Sequence, residues 1–209
     1  ISLELGGNAP LIVFEDADME TAVAGAMLAK MRNLGEACTA ANRIYVHAEV
    51  AEAFTAQLIE RMAALKVGNG LEADIDVGPL VNAATRDKVA AFVEDAMARG
   101  AELRLGGKVP EGPGFFYPPT VLTNVAPDAD CVHDEIFGPV AAIQTFTDQD
   151  EVIARANDTE YGLVAYVHSQ DPRRIYRASR ALCFGMVAVN RTKVTGAPIP
   201  FGGTKQSGI

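Results

Sequence analysis

Two short runs of this chain contain residue types that can carry covalent chemistry. Cys38 lies within residues 33–43, Asn-Leu-Gly-Glu-Ala-Cys-Thr-Ala-Ala-Asn-Arg, and Glu4 lies within residues 3–8, Leu-Glu-Leu-Gly-Gly-Asn. A cysteine thiolate is a nucleophile, and a carboxylate can act as the general base that activates water. Taken alone, such a cysteine is more often a buried structural residue than a nucleophile. Such a glutamate is as often a charged residue on an edge strand as a functional base. The surrounding residues must therefore decide.

The sequence around each residue suggests how it could be activated. A thiol needs a lowered pKa to react well at neutral pH, which a helix N-terminus or a nearby positive charge can supply. Gly35 can form a sharp turn, and the small residues 39–41 would allow a short helix to begin after Cys38, with backbone N–H groups aimed at an oxyanion. Glu4 stands in an apolar stretch, where desolvation would raise its pKa and suit it to be a general base.

The composition bounds the class of protein. The 209 residues are 49% hydrophobic and 22% charged, which is typical of one soluble globular domain or a large piece of a bigger protein. The net charge of -9 argues against nucleic acid or an anionic membrane as partner, because basic clusters neutralise phosphates. No apolar run approaches the ~20 residues that a membrane helix needs.

The remaining cysteines and the histidines show no ligand spacing. Cys131 and Cys183 pair neither with each other nor with Cys38 in any metal or disulfide pattern, so we expect them to be structural, in a reducing compartment that we take to be the cytoplasm. The three histidines are isolated from acidic residues, so we interpret them as surface or hydrogen-bonded side chains and expect no metal site; they are His47, His133 and His168.

These chemical residues must be positioned by alternating strands and helices. The patterns predict strands at 10–14, 43–47, 102–105, 115–122, 163–168 and 186–190, and helices at 19–27, 50–65, 89–97, 149–157 and 172–182. Asp18 is the expected N-cap of the first helix, and residues 110–114 form a predicted hairpin loop. Parallel strands need crossover helices, so we expect one α/β domain, a three-layer αβα arrangement with a mostly parallel sheet.

Two further runs complete a family resemblance. They are Glu-Ile-Phe-Gly-Pro at 135–139 and Pro-Phe-Gly-Gly-Thr-Lys-Gln-Ser-Gly at 200–208. Together with the Cys38 and Glu4 runs they resemble the NAD(P)-dependent aldehyde dehydrogenases, over nearly all of the chain. The resemblance implies that residues 1–209 are the catalytic domain of such an enzyme, with Cys38 as nucleophile and Glu4 as the base that activates the hydrolytic water.

The same resemblance implies what lies outside the chain. Family members carry a larger N-terminal portion that holds most of the cofactor-binding domain and an asparagine of the oxyanion hole, and a C-terminal tail used in oligomerisation. We therefore expect the parent to be a homo-oligomer, a dimer or tetramer, and the isolated chain to be inactive as a dehydrogenase.

The cofactor, NAD or NADP, rests on the resemblance, because the chain contains no Gly-x-Gly-x-x-Gly fingerprint. By itself, the run 135–139 reads as a turn with Phe137 in the core. In the resembled family the matching glutamate hydrogen-bonds the ribose next to the nicotinamide, and the matching phenylalanine lines the nicotinamide site. The resemblance thus assigns cofactor binding to Glu135 and Phe137, with Gly6 leaving room for the bound molecules.

By the family likeness, Phe201 helps to shape the aldehyde tunnel. The runs at 31–38 and 185–191 resemble most the succinate-semialdehyde dehydrogenase group. This narrower likeness implies that Arg32 holds the remote carboxylate of the substrate and that Thr195 is a polar contact to the same carboxylate. Arg32 could equally be a helix C-terminal residue that complements the dipole. Some members have a redox-switch cysteine two residues after the nucleophile; Ala40 stands there, so no such switch is expected.

Two other functions compete with this interpretation. One is a dehydrogenase for a neutral or different aldehyde, for which Arg32→Ala would show no selective loss on acidic substrates. The other is a catalytically silent domain, in which Cys38 would react with alkylating reagents no faster than Cys131 or Cys183.

Overall fold

The computed structural model describes residues 2–208 as a single sheet with helices on both faces. Its strands are β1 Ala9–Val13, β2 Ala41–His47, β3 Glu102–Leu105, β4 Thr120–Thr123, β5 Val140–Phe146, β6 Val164–His168 and β7 Met186–Val189. Its helices are α1 Met19–Met31, α2 Ala51–Ala63, α3 Ala83–Ala98, α4 Asp130–His133, α5 Gln149–Asn157 and α6 Pro172–Ala181. No helix in this described range is both long and apolar enough to cross a membrane.

The seven strands lie in the order β3-β4-β5-β2-β1-β6-β7, and every neighbouring pair is parallel except β3 with β4. Parallel neighbours must be joined by crossover connections, and the helices supply them. The antiparallel β3–β4 pair is the predicted hairpin. The predicted α/β class with a mostly parallel sheet is confirmed.

Alternate residues of the central strands face opposite helical layers. Leu11 of β1 packs in the cluster that contains α1 and α2 residues such as Phe54, whereas Ile12 packs with α5 and α6 residues such as Val152. The helix α3 covers the same face as α5 and α6, where Leu122 of β4 contacts its apolar side. Both faces are thus buried, which gives three layers and explains the nearly continuous apolar sequence of β1.

Helix starts follow from short polar side chains. Asp18, Asn82 and Asp148 each accept a hydrogen bond from the backbone N–H three residues further on, and Asp171 accepts one from Arg173. These bonds satisfy N–H groups that have no partner within the helix. The prediction of Asp18 as the N-cap of the first helix is confirmed.

The largest differences between the structure and the sequence-based elements lie at three places. Strand β5 was not predicted, because two adjacent alanines interrupt its pattern and it follows a run that reads as a turn. The four-residue α4 is too short to show a helical period. The predicted strand at 115–122 shrinks to β4, since Pro118 and Pro119 cannot donate ladder hydrogen bonds.

The segments with chemical residues all lie at the amino ends of neighbouring strands. Residues 3–8 lead into β1, Cys38 lies shortly before β2, and the run 135–139 leads into β5. Because β5, β2 and β1 are adjacent and parallel, these three loops meet at one edge of the sheet. This edge is opposite to the carboxyl-end crevice at which ligands usually bind in open α/β sheets.

Candidate active site

Cys38 and Glu4 border two adjoining cavities at this edge. The first, of about 390 Å³, is also lined by Gly6, Glu135 and Phe137, and we name it the Glu135 cavity. The second, of about 340 Å³, is lined by Phe201 together with Leu163 and residues 202–203 and 207–208, and we name it the Phe201 cavity. Five of the residues expected to do chemistry or bind cofactor therefore meet around the first cavity, and the thiol opens to both.

Cys38 sits in a tight turn rather than at a helix start. The Ala40 N–H donates to the Ala37 carbonyl at 2.9 Å, and β2 begins at the next residue. The expectation of a short helix after Cys38 is wrong, because the chain enters the sheet before a helical turn can close. The turn is held by Thr39, whose carbonyl accepts from the buried Tyr166 hydroxyl at 2.8 Å and whose hydroxyl accepts from Arg32 at 2.7 Å.

Two glycines allow the loops to touch at this turn. A Cβ on Gly7 would overlap the carbonyl oxygen of Cys38, so residues 6–7 lie directly against the nucleophile turn. Gly35 has a φ of +76°, and a Cβ there would overlap the carbonyl oxygen of Gly138. The close approach of the three loops thus depends on the absence of a side chain at Gly7 and at Gly35. The positive φ of Gly35 agrees with the turn expected there.

The surroundings of Cys38 raise the pKa of its thiol. Burial is the largest cause, followed by the carboxylate of Glu135 and, less strongly, that of Glu4. The backbone of Cys38 and the guanidinium of Arg32 lower this pKa and so act in the opposite direction. The expectation of a lowered thiol pKa is therefore wrong for these residues, since two acidic groups face a half-buried sulfur.

Glu135 is half-buried and anchored by the backbone. Its Oε1 accepts from the Gly7 N–H at 3.0 Å, while its Oε2 lies over Gly6, 3.2 Å from where a Cβ would be. Burial raises the pKa of this carboxyl, and the Gly7 hydrogen bond, Lys88 and Lys30 oppose the rise. One carboxylate oxygen is thus fixed by the backbone, and the residue lines the Glu135 cavity.

Glu4 is exposed at the mouth of both cavities. The expectation that it is desolvated does not hold within residues 2–208, because the segment that carries it runs over the surface without forming a strand. Its position beside Cys38 nevertheless matches the predicted pairing of nucleophile and carboxylate.

The predicted substrate residues separate into different places. Phe201 lines its cavity with 55% of its surface exposed. Arg32 lines a third cavity of about 190 Å³, the Arg32 cavity, which also contains Thr39, Tyr166 and Lys193. Thr195 is half-buried and, among the described residues, lines none of these three cavities.

Lys193 and Tyr166 are site residues that the sequence reasoning missed. Lys193 is a second cation in the Arg32 cavity, and Tyr166 holds the Cys38 turn from β6. Nothing local in the sequence marks either residue. Only the sheet order, which places β6 beside β1, brings them near Cys38.

Two assignments outside the site also change. Cys131 is buried, as expected of a structural cysteine, but Cys183 is exposed. His168 is neither at the surface nor hydrogen-bonded: it is 1% exposed, and neither ring nitrogen has a partner among the described residues. It packs on Gly25 of α1, so the small residue is needed for the contact between helix and sheet.

Comparison with known proteins agrees with this arrangement. The model of the aldehyde dehydrogenase family matches residues 1–209. A non-phosphorylating aspartate-semialdehyde dehydrogenase of Halomonas elongata is 53% identical over 100% of this chain and 42% of its own length. A succinate-semialdehyde dehydrogenase of Paenarthrobacter nicotinovorans is 50% identical over 100% of this chain and 46% of its own length.

A solved structure gives the same picture for the fold. The crystal structure of an NADP-dependent enzyme of E. coli superposes with a TM-score of 0.97 at 44% identity, covering 100% of this chain and 43% of that one. The mostly parallel α/β sheet of this chain is therefore a fold that it shares with that structure. The chain belongs to the aldehyde dehydrogenase family, and it spans less than half the length of these relatives.

Proposed function

We propose that this chain is the catalytic domain of an NAD(P)-dependent aldehyde dehydrogenase, which oxidises an aldehyde to a carboxylate through a thioester on Cys38. The observation that carries the proposal is that Cys38 lines two adjoining cavities. The Glu135 cavity offers a carboxylate and an aromatic ring, and the Phe201 cavity offers a second aromatic ring beside Leu163. An enzyme that brings an aldehyde and a nicotinamide to one sulfur needs such an arrangement.

The residues present fit the nicotinamide half of the cofactor. Glu135 and Phe137 line the same cavity, and the carboxylate of Glu135 can accept a ribose hydroxyl there. When bound, the nicotinamide ring accepts the hydride that leaves the substrate carbon. We assign the adenosine and pyrophosphate contacts to chain outside these 209 residues, in keeping with the share of the relatives that the chain covers.

The reaction begins with the Cys38 thiolate, which adds to the carbonyl carbon to form a C–S bond. The carbonyl oxygen becomes an oxyanion, and the Cys38 backbone N–H is the donor that this chain provides to stabilise it. After loss of hydride the carbon is a thioester. Glu4 then takes a proton from water, whose oxygen attacks the thioester, and breakage of the C–S bond releases the acid and restores the thiolate.

The thiol needs activation that this chain does not itself supply. Because burial and two carboxylates raise the pKa of Cys38, little thiolate forms at neutral pH in these surroundings alone. The positive charge of an oxidised nicotinamide in the Glu135 cavity would offset the two carboxylates. Binding of the cofactor before the aldehyde follows as the productive order.

The substrate that we propose is a four-carbon semialdehyde that ends in a carboxylate, with succinate semialdehyde first. Arg32 and Lys193 both line the Arg32 cavity, whose wall includes Thr39, the residue after Cys38, and a guanidinium binds a carboxylate well. Aspartate semialdehyde is the second candidate, because the Halomonas elongata relative, at 53% identity, carries that name. Both substrates share the terminal carboxylate.

The test compares kcat/KM of the full-length enzyme for succinate semialdehyde, aspartate semialdehyde and butanal, each with NAD and NADP. A preference of about tenfold for the acids, equal to about 1.4 kcal/mol, supports the carboxylate site. Arg32→Ala should remove most of that preference while butanal oxidation changes little, and Lys193→Met should remove a smaller part. Equal rates for all three aldehydes in the wild type would discard the acidic substrate and leave the family intact.

The catalytically silent alternative is separated by reactivity. A functional site should let NAD or NADP change the alkylation rate of Cys38 in the full-length protein, whereas the rates at Cys131 and Cys183 stay constant. If neither cofactor alters the Cys38 rate and no aldehyde oxidation is seen, the silent domain is the better description.

A further inference from the structure

Lys30 is a buried amine that the proposed mechanism does not use. It lies in the last turn of α1, and its side chain is 0% exposed. Burial lowers the pKa of Lys30 to about 7, and Cys131 and Glu135 are the acidic groups that act on it in the opposite direction. A buried amine is costly unless it is well hydrogen-bonded, so its contacts need an explanation.

Its hydrogen-bond partner is an amide rather than a carboxylate. The Nζ of Lys30 donates to Asn42 Oδ1 at 2.9 Å, and Asn42 is itself completely buried at the start of β2. Because Lys30 donates in this bond, the oxygen end of the asparagine amide faces it. The Nδ2 of Asn42 is consequently turned toward the carbonyl oxygen of Gly7, to which it donates at 3.4 Å.

Gly7 links this pair to the cofactor side of the site. Its N–H donates to Oε1 of Glu135, and Glu135 lines the Glu135 cavity. Both backbone polar groups of Gly7 are therefore held by side chains, one by Asn42 and the other by Glu135. The chain of contacts runs from Lys30 through Asn42 and Gly7 to Glu135.

We propose that Lys30 is a positioning residue: through Asn42 it fixes the Gly7 backbone and so orients Glu135 for the ribose of the nicotinamide cofactor. This inference rests on the proposed function for its purpose, although the contacts themselves do not. Without the donor of Lys30, the buried Oδ1 of Asn42 loses its partner, and only the 3.4 Å bond from Nδ2 to the Gly7 carbonyl holds the amide. The Gly7 N–H and the Glu135 carboxylate then lose their common alignment.

Lys88 provides the contrast that separates orientation from simple charge. It donates to the backbone carbonyl of Glu135 at 3.1 Å. The charge of Lys88 lowers the pKa of Glu135 more than the charge of Lys30 does. If Lys30 acted only through its electric field, removal of Lys88 would have at least as large an effect. Lys88 makes no bond to Gly7 or Asn42 in the described residues, so the orientation model assigns it a smaller effect.

The experiment uses the full-length protein with four single variants: Lys30→Met, Asn42→Asp, Lys88→Met and Val23→Ala. Asn42→Asp keeps an acceptor for Lys30 but removes the donor to Gly7, which isolates the second link. Val23 is buried in α1 away from this chain of contacts, so Val23→Ala controls for loss of stability. The measurements are calorimetric binding of NAD and NADP, KM for aldehyde, and hydrogen exchange of the peptide that contains the Gly7 amide.

We expect Lys30→Met and Asn42→Asp each to weaken cofactor binding roughly tenfold and to speed exchange at Gly7, with KM for aldehyde little changed. Val23→Ala should lower the unfolding temperature without either effect. The proposal is overturned if both Lys30→Met and Asn42→Asp bind cofactor as the wild type does, if Val23→Ala weakens binding equally, or if Lys88→Met has the largest effect.

Two outcomes keep the test decisive. If Lys30→Met does not fold, Asn42→Asp alone decides, since it retains the buried amine and its acceptor. If the wild type oxidises no aldehyde with either cofactor, the proposed function fails, but exchange at Gly7 still supports or overturns the link from Lys30 to the Gly7 backbone.

Discussion

At the scale of single residues, the site places acidic groups where a thiolate must form. Burial is the largest cause of the raised pKa of Cys38, and Glu135 and Glu4 raise it further. The same carboxylates are the groups that we propose to bind the ribose and to activate water. In this proposal the raised pKa of the free thiol is a consequence of placing there the two carboxylates that later steps use.

This arrangement predicts that Glu135→Gln makes Cys38 more reactive in the absence of cofactor. Removal of the carboxylate lowers the Cys38 pKa, so a larger fraction of thiolate is present at neutral pH and alkylation by iodoacetamide is faster. The amide can still accept from the Gly7 N–H, which preserves the local structure. Rates are measured against pH in a Cys183→Ser background, because Cys183 is exposed and would compete.

Glu4→Gln is the matched comparison for this prediction. Glu4 raises the pKa of Cys38 less than Glu135 does, so its variant should fall between Glu135→Gln and the wild type. A slower rate in Glu135→Gln than in the wild type would contradict the electrostatic account.

At the scale of elements, the site depends on loops that enter parallel strands and pack without side chains between them. Gly35 shows this most clearly, because it combines a φ of +76° with a backbone contact to Gly138, in the loop before β5. Gly100, after α3, has a φ of +99°, but a Cβ added there would meet no atom within 4 Å. A comparison of the two glycines therefore separates the cost of the left-handed backbone from the cost of the steric overlap.

Gly35→Ala should therefore destabilise the protein more than Gly100→Ala. Both substitutions carry a left-handed backbone cost of about 1 kcal/mol, and Gly35→Ala adds an overlap worth roughly 1–3 kcal/mol. Urea unfolding measures the difference, and Gly35→Ala should also alter the alkylation rate of Cys38 while Gly100→Ala does not. Equal free energies of unfolding would mean that the contact with Gly138 relaxes without cost.

The direction of the helices bears on the same edge. Helix α1 ends at Met31, shortly before the Cys38 turn, so its carbonyl end and not its N–H end faces the nucleophile. Arg32 follows directly and complements that end, while its guanidinium also reaches Thr39. The two interpretations of Arg32 from the sequence are thus compatible, because the residue stands at the helix end and in the cavity.

At the scale of the whole molecule, His168 links stability to pH. Burial lowers its pKa from 6.5 to about 4, so the folded protein keeps the imidazole neutral over a range in which the unfolded chain binds a proton. Stability should fall as pH decreases from about 6.5 toward 4, by an amount on the order of 3 kcal/mol. His168→Leu should remove this part of the dependence in urea unfolding at several pH values.

A suitable control for that prediction is His133→Leu, because His133 is exposed at the end of α4. It should leave the pH dependence as it is in the wild type. A steep acid loss that persists in His168→Leu would point instead to the carboxylate network of Glu15 and Asp16 with Arg174.

The sequence predicts well what neighbouring residues decide. Strand β1, the N-cap Asp18 and the amphipathic α5 follow from local composition and spacing, so they are found nearly where expected. Strand β5 is supported by parallel pairing with β2 and β4, a long-range property that its alanine-rich sequence does not reveal.

The features of the site also divide into those that neighbouring residues decide and those that long-range contacts decide. The residue types around Cys38 and Glu135 indicate their chemistry through the family resemblance, but their burial and charge environment depend on which loops meet. The exposure of Glu4, the raised pKa of Cys38 and the place of Lys193 in the Arg32 cavity all arise from strand order. None of them could be inferred from spacing along the chain.

The hydrogen bond from Gly7 to Glu135 joins residues 128 positions apart. During folding, the pairing of β1 with β2 closes a short loop of chain, whereas the pairing of β5 with β2 closes a much longer one. The half of the site that holds the sulfur should therefore form before the half that holds Glu135. A nascent chain would pass through a stage with its nucleophile turn made and its neighbouring acid still absent, when the thiol is most open to oxidation.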